Sequence, residues 1–137
     1  MIYVYNKKYE NIIRLISHTM NVTCMKNFNY QLFSGSKDFT SLKWNVNKGA
    51  PEIIFETKNQ PINCLEISKI KDKQVMFTGC EKSTVHCFCI TDKKPLFEIV
   101  FKSNFDPYEI RFISNNGEAD AFHCKLIILL KDTNIQS

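Results

Sequence analysis

Cys80, His86, Cys87 and Cys89 crowd one short stretch of this chain. Thiolate and imidazole are the ligands zinc favours, and structural zinc sites commonly hold the ion with Cys-x-x-Cys pairs. Here the closest pair is Cys87-x-Cys89. On a strand that spacing sends both thiols to one face and His86 to the other. The expected roles are two packed cysteines and a separate histidine. No metal and no other cofactor is expected.

Nucleophilic catalysis needs a Cys or Ser with a base in reach. The histidines are His18, His86 and His123. His123 and Cys124 are sequence neighbours, so a strand would turn them apart. Glu118 and Asp120 sit in a polar stretch where solvation accounts for them. The four glycines are scattered, so no backbone cradle for phosphate is formed. No catalytic residue and no small-molecule substrate is expected, and a small enzyme is the last of three readings.

The net charge of +4 comes almost wholly from Lys, with Arg14 and Arg111 as the arginines. Bidentate recognition of phosphate and guanine leans on Arg. Phe28, Phe97 and Phe101 lie near lysines and could stack on single-stranded RNA. Packing between layers is the favoured role for most such positions, and RNA contact is the runner-up function. The six cysteines fall mostly in apolar runs, where a free thiol behaves as a small hydrophobe. The opening MIYVYNKKYE turns charged too early for an export signal. There is no run of eighteen apolar residues, so no membrane partner is expected. The expected address is intracellular, in cytoplasm or nucleus, with reduced thiols.

The elements that must position these residues read as strands throughout. Residues 2–5 and 11–17 are β-rich, with a turn at 6–8. A strand opens at 22–25, a turn follows at 27–30, and strands at 31–34, 41–46 and 52–55 are separated by turns at 37–39 and 47–49. The order then repeats at 61–65, 75–80, 84–90 and 95–100, with a longer Lys-rich loop at 70–74. A third unit begins at 108–113, passes a polar loop at 114–121 and continues at 125–130. No helix is expected. Self-similarity with a period of about forty residues marks a repeat architecture.

Three motifs carry a family resemblance. Ser17-His18 opens the first unit, Ser34-Gly35-Ser36-Lys37-Asp38-Phe39-Thr40 forms its turn, and Trp44-Asn45 closes it. The layout resembles the WD-repeat β-propeller family. That family runs from a Gly-His pair through a Ser-Gly-Ser-x-Asp-Gly-Thr turn to a Trp-Asp pair. This chain has Ser at 17, Phe at 39 and Asn at 45 instead. The second copy departs further, with Lys58-Asn59, Lys82 and Phe88-Cys89 at the corresponding places, but it keeps Thr78-Gly79-Cys80 and Thr84.

The resemblance implies an all-β chain of antiparallel four-stranded blades, incomplete as given. Residues 1–17 would end one blade, 21–57 and 61–101 would be complete blades, the second degenerate, and 107–137 would start another. Two edges would stand open, as in a piece of a longer protein or a truncated product. It also implies a buried polar tetrad of His18, Ser34 or Ser36, Asp38 and Trp44. In the second copy Phe88 cannot donate and Lys82 cannot accept, so packing alone is expected to hold it. The implied function is a non-catalytic scaffold that binds other proteins. Its contact residues, carried over position by position, are Thr19, Met20, Lys37, Phe39, Gln60 and Glu81. Phe39, standing for a turn glycine, is expected at a loop tip in solvent.

Overall fold

Alternating apolar and polar residues, punctuated by Asn, Asp and Lys turns, produce strands because each strand can bury one face and keep its backbone paired. The computed structural model describes residues 2–5, 11–101, 105–114 and 124–132. The described residues form twelve strands and no helix: β1 (Ile2–Tyr5), β2 (Asn11–Leu15), β3 (Val22–Phe28), β4 (Gln31–Ser36), β5 (Thr40–Asn45), β6 (Ala50–Glu56), β7 (Ile62–Ile70), β8 (Lys73–Cys80), β9 (Thr84–Cys89), β10 (Lys94–Val100), β11 (Phe105–Ser114) and β12 (Cys124–Asp132). The turn expected at 6–8, the loop beyond Ser114 with Glu118 and Asp120, and His123 lie outside the described residues.

Neighbours in sequence pair antiparallel. β3-β4-β5-β6 make one four-stranded sheet and β7-β8-β9-β10 a second, while β1-β2 and β11-β12 form two-stranded sheets on either side. Each four-stranded sheet is a plain meander, so its first and third turns lie at one end and its second at the opposite end. The sheets stack through three apolar layers. Ile2 and Leu15 meet Leu42 and Trp44 in the first. Phe33 and Phe55 meet Ile62, Leu65, Met76 and Phe88 in the second, with the Phe55 and Phe88 rings 5.1 Å apart. Val75, Phe77, Val85 and Cys87 meet Ile110 in the third. Each large side chain fully buried this way contributes about 1.5–3 kcal/mol.

Hydrogen bonds tie one layer to the next at repeated places. Thr23 Oγ1 donates to the Ile62 carbonyl at 2.6 Å, and Asn63 Nδ2 donates to the Pro107 carbonyl at 3.4 Å. Gly35 and Gly79 let neighbouring sheets approach closely. A Cβ on Gly35 would lie 2.8 Å from Ile62 Cγ2, and one on Gly79 would lie 2.8 Å from Pro107 Cβ.

Two hairpins differ from the sequence reading. β3 runs through Phe28, leaving Asn29 and Tyr30 alone to turn the chain, both at positive φ (49° and 61°). That is the two-residue turn whose backbone matches strand twist, and it ordinarily takes Gly at its second position. The loop expected at 70–74 is instead a continuing ladder. Ile70 faces Lys73, and Lys71 and Asp72 make the turn.

Candidate functional site

The 37–39 turn between β4 and β5 and the links entering β3 and β7 meet at one end of the stack. His18 lies in the link before β3. Its Nδ1 is 2.9 Å from Asp38 Oδ2 and its Nε2 is 2.7 Å from Ser34 Oγ. Trp44 Nε1 donates to that same Ser34 oxygen at 2.7 Å. A proton on His18 Nδ1 lets donors run in one direction, from indole to hydroxyl to imidazole to carboxylate. Asp38 also accepts from the Thr19 amide (3.0 Å), the Thr40 amide (3.0 Å) and the Thr40 hydroxyl (2.5 Å). The four bonds use the capacity of both carboxylate oxygens. Burial alone would raise the Asp38 carboxyl, but the bonds from Thr40, His18 and Thr19 outweigh it and hold it below the usual carboxylate range.

Of the two serines left open by the sequence, Ser34 is the one between the rings. Ser36 pins the loop instead. Its hydroxyl donates to the Asn21 carbonyl at 2.9 Å and accepts from the Asp38 amide at 3.1 Å. Lys37 N reaches the same Asn21 carbonyl at 3.0 Å. The link and the turn are thereby held as one rigid unit.

The second sheet does not rest on packing alone. His86 Nε2 lies 2.7 Å from Gln60 Oε1, Gln60 Nε2 donates to Thr84 Oγ1 at 3.3 Å, and Thr84 Oγ1 donates to the Lys82 carbonyl at 3.0 Å. The His86 ring also stacks over Phe88. Sequence comparison by position missed this because the replacement groups stand at other positions from those they replace. His86 is in mid-strand, and Gln60 lies two residues after Lys58, which takes the place of His18. Burial lowers the His86 pKa. Glu98 opposes that shift and Lys58 adds to it.

Thr19, Met20, Lys37 and Glu81 are exposed at this end, Met20 at 55%. Gln60 is half-buried, with both ends of its amide engaged. Phe39 departs from the expected solvent tip. It adopts the left-handed φ of 72° that a turn glycine would, but its ring is half-buried and its carbonyl accepts from the Thr57 amide at 2.8 Å and hydroxyl at 3.0 Å. Phe39, Asp38 and Thr40 line a hollow with Glu56, Thr57, Lys58 and Asn59.

The cysteine cluster is divided between two apolar layers. Cys87 packs with Val85 and Ile110, while Cys80 lies in the layer of Phe33 and Ile62. Burial foremost pushes the Cys64, Cys80 and Cys87 thiols up to about 12. Among the described residues no group of His, Cys, Asp and Glu is arranged to hold a metal. Phe28 and Phe101 are half-buried against the second and third layers, but Phe97 stands 52% exposed on β10.

No protein-family model and no curated protein matches the sequence. Among solved structures, the C-terminal WD40 domain of Sif2 is similar, with a TM-score of 0.70 and 19% identity over 93% of this chain. The present chain spans 34% of that one. Antiparallel sheets in meander order, stacked face to face and matching that domain, give this chain the fold of consecutive blades of a WD40-type β-propeller.

Proposed function

We propose that the chain is a non-catalytic scaffold segment that binds another protein at the end where the β4–β5 turn and the links between sheets converge. One observation carries this reading: exposed Thr19, Met20, Lys37 and Glu81 stand on backbone locked from below. The Thr19 amide is held by Asp38, Lys37 N by the Asn21 carbonyl and Glu81 N by the Pro61 carbonyl at 3.1 Å. Preorganised loops lose little entropy on binding, and a half-exposed aromatic beside them, Phe39, supplies an apolar anchor of the kind that dominates interfaces. Gln60 supports this surface from below through His86 and Thr84. Cys24, Cys64, Cys80 and Cys87, held protonated by burial, and a His18 with both nitrogens engaged offer no activated nucleophile, which favours binding over catalysis.

The test is a cross-linked pull-down with the whole chain, comparing it with Met20→Ala and Lys37→Glu. Both variants are expected to keep the thermal midpoint and to lose the partners. Recovery of an unchanged partner set from both would place the interaction elsewhere.

A further inference from the structure

The opposite end of the stack carries a second surface. Four of the six hairpins of the two complete sheets turn there: Asn29-Tyr30, the 46–49 turn, Lys71-Asp72 and the 90–93 turn. Exposed Lys48, Lys71 and Lys93 stand at these turns, and none of them is in an ion pair among the described residues. Lys73 is neutralised by Asp92. The loop end bears a different balance, with carboxylates Asp38, Glu56 and Glu81 among its lysines. The two ends therefore present different fields to an approaching molecule.

Tyr30 stands amid this basic end. It is 102% exposed, entirely outside the packed layers, and it occupies a left-handed position that ordinarily takes glycine. Neither packing nor backbone preference accounts for a tyrosine there. An exposed aromatic ring on an end that carries unpaired lysines suits one chemistry, a segment that carries carboxylates around an apolar side chain. The geometry points to a docking site for an acidic protein segment on the hairpin end, centred on Tyr30 and bounded by Lys48, Lys71 and Lys93. It is separate from the surface proposed above. Nucleic acid fits less well. Tyr30 is the sole exposed aromatic at these turns among the described residues, whereas single strands stack on successive rings.

Fluorescence anisotropy tests this with the whole chain and a labelled peptide of glutamates carrying one central leucine. Binding is expected at low salt and should weaken as salt is raised. Tyr30→Gly should weaken it by about tenfold while leaving the thermal midpoint equal or higher, because glycine relieves the turn. Lys71→Glu combined with Lys93→Glu should weaken it similarly, and Lys37→Glu at the other end should not. No binding at low salt would overturn the proposal, as would retention of full affinity by Tyr30→Gly. Tighter binding of labelled polyuridine RNA than of the peptide would also overturn it. Loss of binding in Lys37→Glu alone would assign the peptide to the other end. The pull-down from Met20→Ala stands or falls independently of all these results.

Discussion

Trp44 does two things at once. Its indole body is 3% exposed among Ile2, Leu15 and Leu42, and its one donor meets Ser34. The two contributions can be separated by substitution. Trp44→Ala removes the body and opens a cavity, with an expected loss of about 3–5 kcal/mol of folding stability. Trp44→Phe keeps most of the apolar area and deletes the donor, so the expected loss is about 1–2 kcal/mol. Urea unfolding of the two variants measures both values, and an alanine loss below about 1 kcal/mol would contradict the packing role. At this scale the sequence was legible through its likeness to the WD-repeat pattern, which implies one network of Asp, His, Ser and Trp at these places and leaves the choice of serine open. It was not legible for Gln60 and His86, whose side chains reach each other from positions that no residue-by-residue comparison aligns.

The strands themselves were readable where one face is buried. β5 alternates visibly, with Leu42 and Trp44 buried and Lys43 half-buried between them, whereas every residue of β9 is buried and that strand was read from the repeat. The far end of the β7–β8 hairpin was not readable, since Lys69, Lys71, Asp72 and Lys73 project into water and carry no apolar signal, while the backbone ladder continues regardless. Spacing between sheets was likewise hidden in two glycines. A Cβ on Gly79 would lie 2.4 Å from Cys64 Sγ as well as against Pro107, and one on Gly35 would lie 2.7 Å from Cys24 Sγ. Both strands opposite carry a bulge at this point, between Val22 and Cys24 and between Ile62 and Cys64. Gly79→Ala must therefore push β11 outward, and its expected cost is about 1–3 kcal/mol. Gly35→Ala combined with Cys24→Ala should recover part of the loss of Gly35→Ala alone, because one of its two closest contacts is then removed. Chemical denaturation reads both, and a neutral Gly79→Ala would mean that the sheets are not held apart by this contact.

Across the whole molecule, the two polar networks sit at different junctions, so acid attacks the stack in two places. Asp38 and His18 join the β1–β2 side to the first complete sheet, whereas His86 and Gln60 lie where the first complete sheet meets the second. The unfolded chain titrates a histidine near 6.5 and an aspartate near 3.8. His86 has a lowered pKa in the folded chain, so as pH falls through about 6.5 the unfolded chain takes up the proton first and folding weakens. Asp38 is lowered too, and the same uptake by the unfolded chain begins only near its ordinary value. Stability should be highest above about pH 6.5, decline through the histidine range, and decline again below about pH 4. Asp92 is also lowered, by its Lys73 partner, but it is exposed, so added salt should suppress its share and leave that of the largely enclosed Asp38. Urea midpoints across this range check the shape. His86→Leu places at 86 the side chain that the first sheet has at Leu42, and it should flatten the slope between about pH 7 and pH 5 whatever it does to the absolute midpoint. An undiminished slope in that variant would show that the junction between the two complete sheets is not the one that acid opens first.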